Sequence, residues 1–266
     1  MPHDELAGKI ATWVERSGFA LELRVARAFA QAPHLPREPF TEIGPVEVTP
    51  AKMYRDRTEN KWRETDMLAE VHSQRDQNRV LRVVAECKSG AGKPWVVFTD
   101  PHRSWVTDDD AFSGFLFRWA GALDVHKIWK SARGAPCLPA KVTGYALAEA
   151  RFTEDQNQKQ PTDPDVPYRA VRQAMAAAMS LHEEERADAD TYVRITVPIV
   201  VTAAPIFECS LSQTGEVLTV PVNYAALYAQ PEADRTPLAV QVMTEDHLRN
   251  EWVPGLDETL RNLSWI

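Results

Sequence analysis

The chain is poor in cysteine, in uninterrupted apolar sequence and in net positive charge. Only three cysteines occur in 266 residues, Cys87, Cys137 and Cys209, far apart and without CxxC spacing. That excludes a disulfide scaffold and argues against a thiolate zinc site. An odd, scattered set points to reduced thiols in a cytoplasmic protein. No apolar run is long enough to span a bilayer, and the N-terminus lacks the basic-then-apolar pattern of a signal peptide, so no membrane partner is expected. Internal repeats and low-complexity tracts are absent as well. A hydrophobic content of 44% is ordinary for a globular protein, and the length suffices for a full core.

The formal net charge of −8 sits awkwardly with nucleic-acid binding, because phosphate contacts need local positive charge. The charge is uneven, however. Lys52, Arg55, Arg57, Lys61 and Arg63 fall close together, whereas acids gather at Asp108-Asp109-Asp110 and across Glu183-Glu184-Glu185, Asp188 and Asp190. The basic cluster reads either as a flank that guides a phosphate backbone or as a solvated, charged hairpin. No helix-turn-helix, zinc finger or RNA-reading module is recognisable. Sequence specificity would then have to come from a homodimer or a partner protein.

Against this background one stretch stands out. Val80-Leu81-Arg82-Val83-Val84-Ala85 reads as a buried strand and runs directly into Glu86-Cys87-Lys88. Strand residues two apart share a face, so Glu86 and Lys88 project with Val84 while Leu81, Val83, Ala85 and Cys87 point the other way. Cys87 is therefore expected to pack in the core. Upstream, Arg63-Glu64-Thr65-Asp66-Met67-Leu68-Ala69-Glu70-Val71 has the same character, with Asp66 sharing a face with Glu64 opposite Met67, Ala69 and Val71. Arg75-Asp76-Gln77-Asn78 between the two reads as a hairpin turn. Two neighbouring strands would present an acid, an acid and a lysine together, which is what a site needs to hold Mg²⁺ and orient an attacking water.

The acid, acid, lysine pattern of Asp66, Glu86 and Lys88 resembles the PD-(D/E)xK nuclease superfamily, the restriction-endonuclease-like fold. Thr65 stands where members usually carry proline before the first acid. The resemblance implies a central mixed β-sheet flanked by helices, with Asp66, Glu86 and Lys88 catalytic. It also implies Mg²⁺ (or Mn²⁺) held by Asp66, Glu86 and the backbone carbonyl of Cys87. A helical glutamate reaches the metal site in the resolvase-like and type IV restriction-like branches, and Glu22 matches it. On the helix read from Gly18 to Phe29, Glu22 lies opposite a polar stripe of Arg24, Arg27 and Gln31 and is flanked by Val25, Ala26 and Phe29. A carboxylate on an apolar face needs a partner. The plainer alternative is an arginine at the helix end. The implied reaction is phosphodiester hydrolysis, with DNA the expected partner, RNA left open, and restriction, repair or antiviral defence as settings.

Each of these residues has an ordinary alternative. Glu86 and Lys88 read equally as a surface cross-strand pair, and Asp66 as a turn residue or a partner of Arg63 or Arg82. A non-catalytic nucleic-acid or protein-interaction module on the same fold, and an RNA or nucleotide phosphodiesterase, are the competing functions.

The remaining sequence is read as one α/β domain over 1–266, with a core at 18–98, an elaboration at 100–165 and further sheet and helices over 166–266. Residues 4–17 form an amphipathic helix with Leu6, Ile10, Trp13 and Val14 on one face. Pro33, Pro36 and Pro39 mark an irregular connection. Strands are expected from Val46 through the two site strands and at Lys93–Phe98, all adjacent in one sheet. The aromatic-rich stretch 105–119 defaults to core packing, and 153–165 to a polar loop. A helix from Pro167 follows, with strands at Val193–Val201, Ile206–Cys209, Glu216–Val222 and Val240–Met243. Thr244-Glu245-Asp246 opens a terminal helix with its acids in the favourable first turn.

Overall fold

Long β-patterned runs and two well-buried helices give a three-layer arrangement in this computed structural model. It describes residues 3–32, 43–57, 59–75, 79–89, 93–100, 116–120, 135–138, 144–150, 166–184, 192–229 and 238–264. The elements used below are helices α1 (His3–Ser17), α2 (Phe19–Gln31) and α3 (Val166–Glu184), and strands β1 (Ile43–Asp56), β2 (Lys61–Ser73), β3 (Arg79–Lys88), β4 (Trp95–Thr99), β5 (Leu116–Ala120), β6 (Gly144–Glu149), β7 (Tyr192–Thr202), β8 (Ile206–Leu211), β9 (Val217–Val222), β10 (Tyr224–Ala229) and β11 (Leu238–Thr244). After β11 come a short α4 (Glu245–His247), a π-helical turn (Leu248–Trp252) and α5 (Leu256–Ser264).

The strands form one eleven-stranded mixed sheet in the order β1-β2-β3-β7-β11-β10-β6-β4-β8-β9, with β5 paired to β7. The fold is therefore α/β with helices flanking a large mixed sheet. β3 lies between antiparallel β2 and parallel β7 and is buried along almost its whole length. That explains why it reads as a near-continuous apolar run rather than an alternating one. Leu21, Val25 and Phe29 of α2 pack on one face against Met67, Ala69, Val71, Val83, Ala85 and Cys87. Each fully buried Leu, Val, Phe or Met side chain of this set stabilises the fold by about 1.5–3 kcal/mol. On the other face, α3 places Ala177, Ala178 and Leu181 against Tyr54, Leu68 and Val84.

Several expectations change. β4 belongs to the same sheet but pairs with β6 and β8, so residues 46–98 are not consecutive neighbours. The place beside β3 goes to β7, whose ten-residue register with β3 buries both apolar strands together. α1 forms, yet none of its residues is buried, and Leu6, Ile10 and Trp13 stay exposed. The terminal helix is broken by the π turn before α5, although Thr244 caps it, accepting from the His247 amide, with Glu245 and Asp246 in the first turn as expected. The proline-rich connection, the 76–78 turn, most of the aromatic stretch, the polar loop and the acidic runs at 108–110 and 185–190 lie outside the described residues. Of the aromatic stretch, residues 116–119 lie in β5, which pairs antiparallel with β7.

Candidate active site

A local break in the hairpin β1–β2 positions the first acid. Val46 and Val48 of β1 pack in the α2-side core, yet Tyr54, an even number of residues along, packs in the α3-side core with Leu68 and Val84. Strict alternation would keep all three on one face. The hairpin turns over at Ala51, which takes a left-handed φ of 53°, directly opposite Asp66, where the ladder that runs from Val46–Val71 to Asp56–Lys61 lacks a pair. Arg63 is the cross-strand neighbour of Tyr54, so it shares the α3 face rather than following Met67, Ala69 and Val71. The expectation that alternation carries unbroken from Glu64 through Asp66 to Val71 is thereby corrected.

The same break ends the β2–β3 ladder. Its register runs from His72 opposite Val80 to Met67 opposite Ala85 and stops there. Beyond it, side chains replace backbone pairing: the Cys87 amide donates to Asp66 Oδ2 at 2.6 Å, and the Thr65 hydroxyl donates to the Ala85 carbonyl at 3.1 Å. Thr65 was not anticipated. Its type, next to an acid in a strand, carries no signal until the ladder is seen to stop.

Glu86 and Lys88 then emerge at the carboxyl end of the parallel pair β3–β7, the edge at which α/β sheets commonly bind ligands. Lys88 Nζ lies 3.1 Å from Glu86 Oε2 and 3.9 Å from Asp66 Oδ2, so one ammonium sits between two carboxylates. The Glu86 side chain is 2% exposed, and its Oε1 has no hydrogen-bond partner among the described residues. Burial, with the Asp66 charge added, pushes the Glu86 carboxyl up to about 7, despite the opposing pull of Lys88. Burial by itself would lower the Lys88 ammonium, but the two carboxylates more than offset it and the net shift is upward. The bland surface-pair alternative for Glu86 and Lys88 does not describe this buried cluster.

Glu22 arrives from α2. Gly18, at a φ of 95° open mainly to glycine, starts that helix against the end of β3, where an added Cβ would lie 3.5 Å from the Ser89 hydroxyl oxygen. Glu22 is half-buried, and its carboxyl is raised by burial first and then by repulsion from Asp66, with Lys88 pulling the other way. No ion pair or hydrogen bond joins it to either residue among the described contacts. Among the described residues no arginine forms an ion pair with Glu22, and Arg24 pairs instead with Glu15 and Glu245. Cys87 points its thiol into the core, where burial raises it well above its ordinary range, so only its backbone is available to the site. Tyr54 is a second residue missed from the sequence: it is buried close enough to Glu86 for that charge to raise its hydroxyl further.

The basic flank is largely engaged within the fold. Arg57 pairs with Glu183 of α3, Lys61 with Glu59, and Arg63 with Asp56 and Glu59, while Arg55 donates to the Asn60 amide oxygen. Among the described residues, no group of three or more His, Cys, Asp or Glu side chains forms a metal cluster. Comparison with protein-family models, curated proteins and solved structures returns no match. The nuclease resemblance rests on the residues themselves.

Two carboxylates nevertheless suit Mg²⁺, which keeps several waters and takes few protein ligands. The buried, unpartnered Glu86 Oε1 is the feature that fits such an ion. Among the described residues no helix is long and apolar enough to cross a membrane.

Proposed function

We propose that the chain is a metal-dependent nuclease of the PD-(D/E)xK kind, hydrolysing phosphodiester bonds with DNA as the expected substrate. The observation that supports this best is the trio at the β2–β3 break: two acids around one lysine, one acid buried with an oxygen that has no hydrogen-bond partner among the described residues. Asp66 and Glu86 would hold Mg²⁺ or Mn²⁺, with the Cys87 carbonyl and Glu22 as further ligands. Once bound, such an ion acidifies a water and polarises the scissile phosphate. Lys88, which bridges the two carboxylates, would orient the attacking water or stabilise the negative charge that develops on the phosphate oxygens. Asp66 keeps its acceptor bond from the Cys87 amide, which fixes the carboxylate relative to β3. Glu86, whose carboxyl burial raises to about 7, would have to be ionised to serve as a ligand.

The test is cleavage of plasmid, linear duplex, single-stranded DNA and RNA with and without Mg²⁺ or Mn²⁺. Wild type should cut at least one of these only with metal. Asp66→Asn and Glu86→Gln should each reduce the rate by at least about a thousandfold, and Lys88→Ala by a hundredfold or more. Absence of metal-dependent cleavage on every substrate, or a normal rate in Asp66→Asn, would replace this reading with the non-catalytic interaction module.

A further inference from the structure

We propose that a cavity on the flank of α2 opposite Glu22 binds a backbone phosphodiester of the nucleic-acid strand, an inference that rests on the proposed nuclease function. The cavity has a volume of about 360 Å³ and is lined by Arg24, Arg27, Ala28, Gln31 and Arg249. Four of its five residues carry side-chain N–H donors, and guanidinium forks match phosphate oxygens in pairs. Arg24, Arg27 and Gln31 are the polar stripe legible in the sequence, which the catalytic reading left unused. Arg249 comes from the π turn, held against α2 by the edge contact of Phe29 with Trp252, whose ring centroids lie 5.8 Å apart.

Charge balance selects the ligand. Glu15 binds Arg24, and Glu245 binds Arg24 at 2.8 Å and approaches Arg249 at 3.8 Å. Arg27 has no acidic partner among the described residues. Among the described residues three guanidinium groups face two carboxylates, leaving about one positive charge, which matches the single negative charge of a phosphodiester better than a phosphate dianion. The β1–β2 hairpin, by contrast, has Arg57, Lys61 and Arg63 already neutralised by acids of the fold. Because α2 carries Glu22 on one flank and this cavity on the other, a strand held here would be registered by the helix that also borders the active site.

The experiment is titration of a fluorescent oligonucleotide with the full chain in EDTA, across a salt series, for wild type and the Arg27→Ala/Arg249→Ala double variant. Both side chains are exposed, so the fold should hold, and unchanged thermal unfolding checks this. The double variant should bind about tenfold more weakly, with the salt slope reduced by about 1. The corresponding Arg→Lys double variant should recover most of the slope. Unchanged affinity and slope in the alanine variant overturn the proposal. So does binding of inorganic phosphate at the arginines that oligonucleotide fails to displace, which would make the ligand a free anion. The readout needs no metal, so binding through the arginines without cleavage under any condition would sink the nuclease reading and leave the cavity standing. Arginine-independent binding together with metal-dependent cleavage would do the reverse.

Discussion

Two charged groups sit on the same face of β3, and they are satisfied to very different degrees. Arg82 is 1% exposed, but its guanidinium is fully engaged: Nε and Nη2 donate to Glu70 Oε1 at 3.1 and 2.6 Å, and Nη1 donates to the Leu181 carbonyl at 2.9 Å. Four residues on, Glu86 is just as buried, shares one lysine with Asp66 and leaves its Oε1 without a hydrogen-bond partner among the described residues. The first arrangement ties β2, β3 and α3 together. The second stabilises nothing in proportion to the desolvation it suffers. Buried charge alone does not mark function. Buried charge that the fold leaves short of partners, at the open end of a sheet, does so far better.

The contrast is broken most forcefully at Arg82. Arg82→Ala strands the Glu70 carboxylate and the Leu181 carbonyl, and should destabilise by about 3 kcal/mol, read as a lower urea midpoint at unchanged m-value. Metal-dependent cleavage, measured well below the new midpoint, should remain. A loss of cleavage without a loss of stability would erase the distinction drawn here.

Glu86→Gln should act in the opposite direction. A carboxyl raised from 4.5 to about 7 in the folded state binds more protons there than in the unfolded chain across that window. Wild-type stability should therefore fall as pH rises from about 4.5 to 7 and level off above it. Glutamine carries no charge, so the variant should lose most of this slope and gain roughly 2 kcal/mol over wild type at pH 8. A smaller slope of the same sign should persist from Glu22, whose carboxyl is also raised by burial. A Glu86→Gln protein less stable than wild type at pH 8 would mean that the carboxylate is held by partners the account leaves out.

Much of this comparison was visible before any fold was known. The apolar run into Glu86 announced a buried strand, and residue spacing put Lys88 beside Glu86 and the Cys87 thiol in the core. The pairing of β2 with β3 followed from their turn residues. What could not be read was where regular alternation stops. The reversal at Ala51 and Asp66 depends on a left-handed backbone at an alanine, a residue type that gives no warning of it. The placement of β7 beside β3, with β4 moved far along the sheet, depends on which apolar strands bury one another, information that lies far apart in the chain. The fate of the basic flank was hidden for a similar reason, since Arg57 finds its acid on α3, more than a hundred residues away.

Thermal unfolding with Mn²⁺ or Mg²⁺ at pH 7.5, for wild type and Glu86→Gln, asks whether the buried Glu86 carboxylate takes a cation. A ligand bound only by the folded state stabilises it by about 2.7 kcal/mol at a hundredfold excess over its Kd. Wild type should melt several degrees higher with metal, and Glu86→Gln should not. Equal shifts in both proteins, or none in either, would contradict the assignment of Glu86 as a metal ligand.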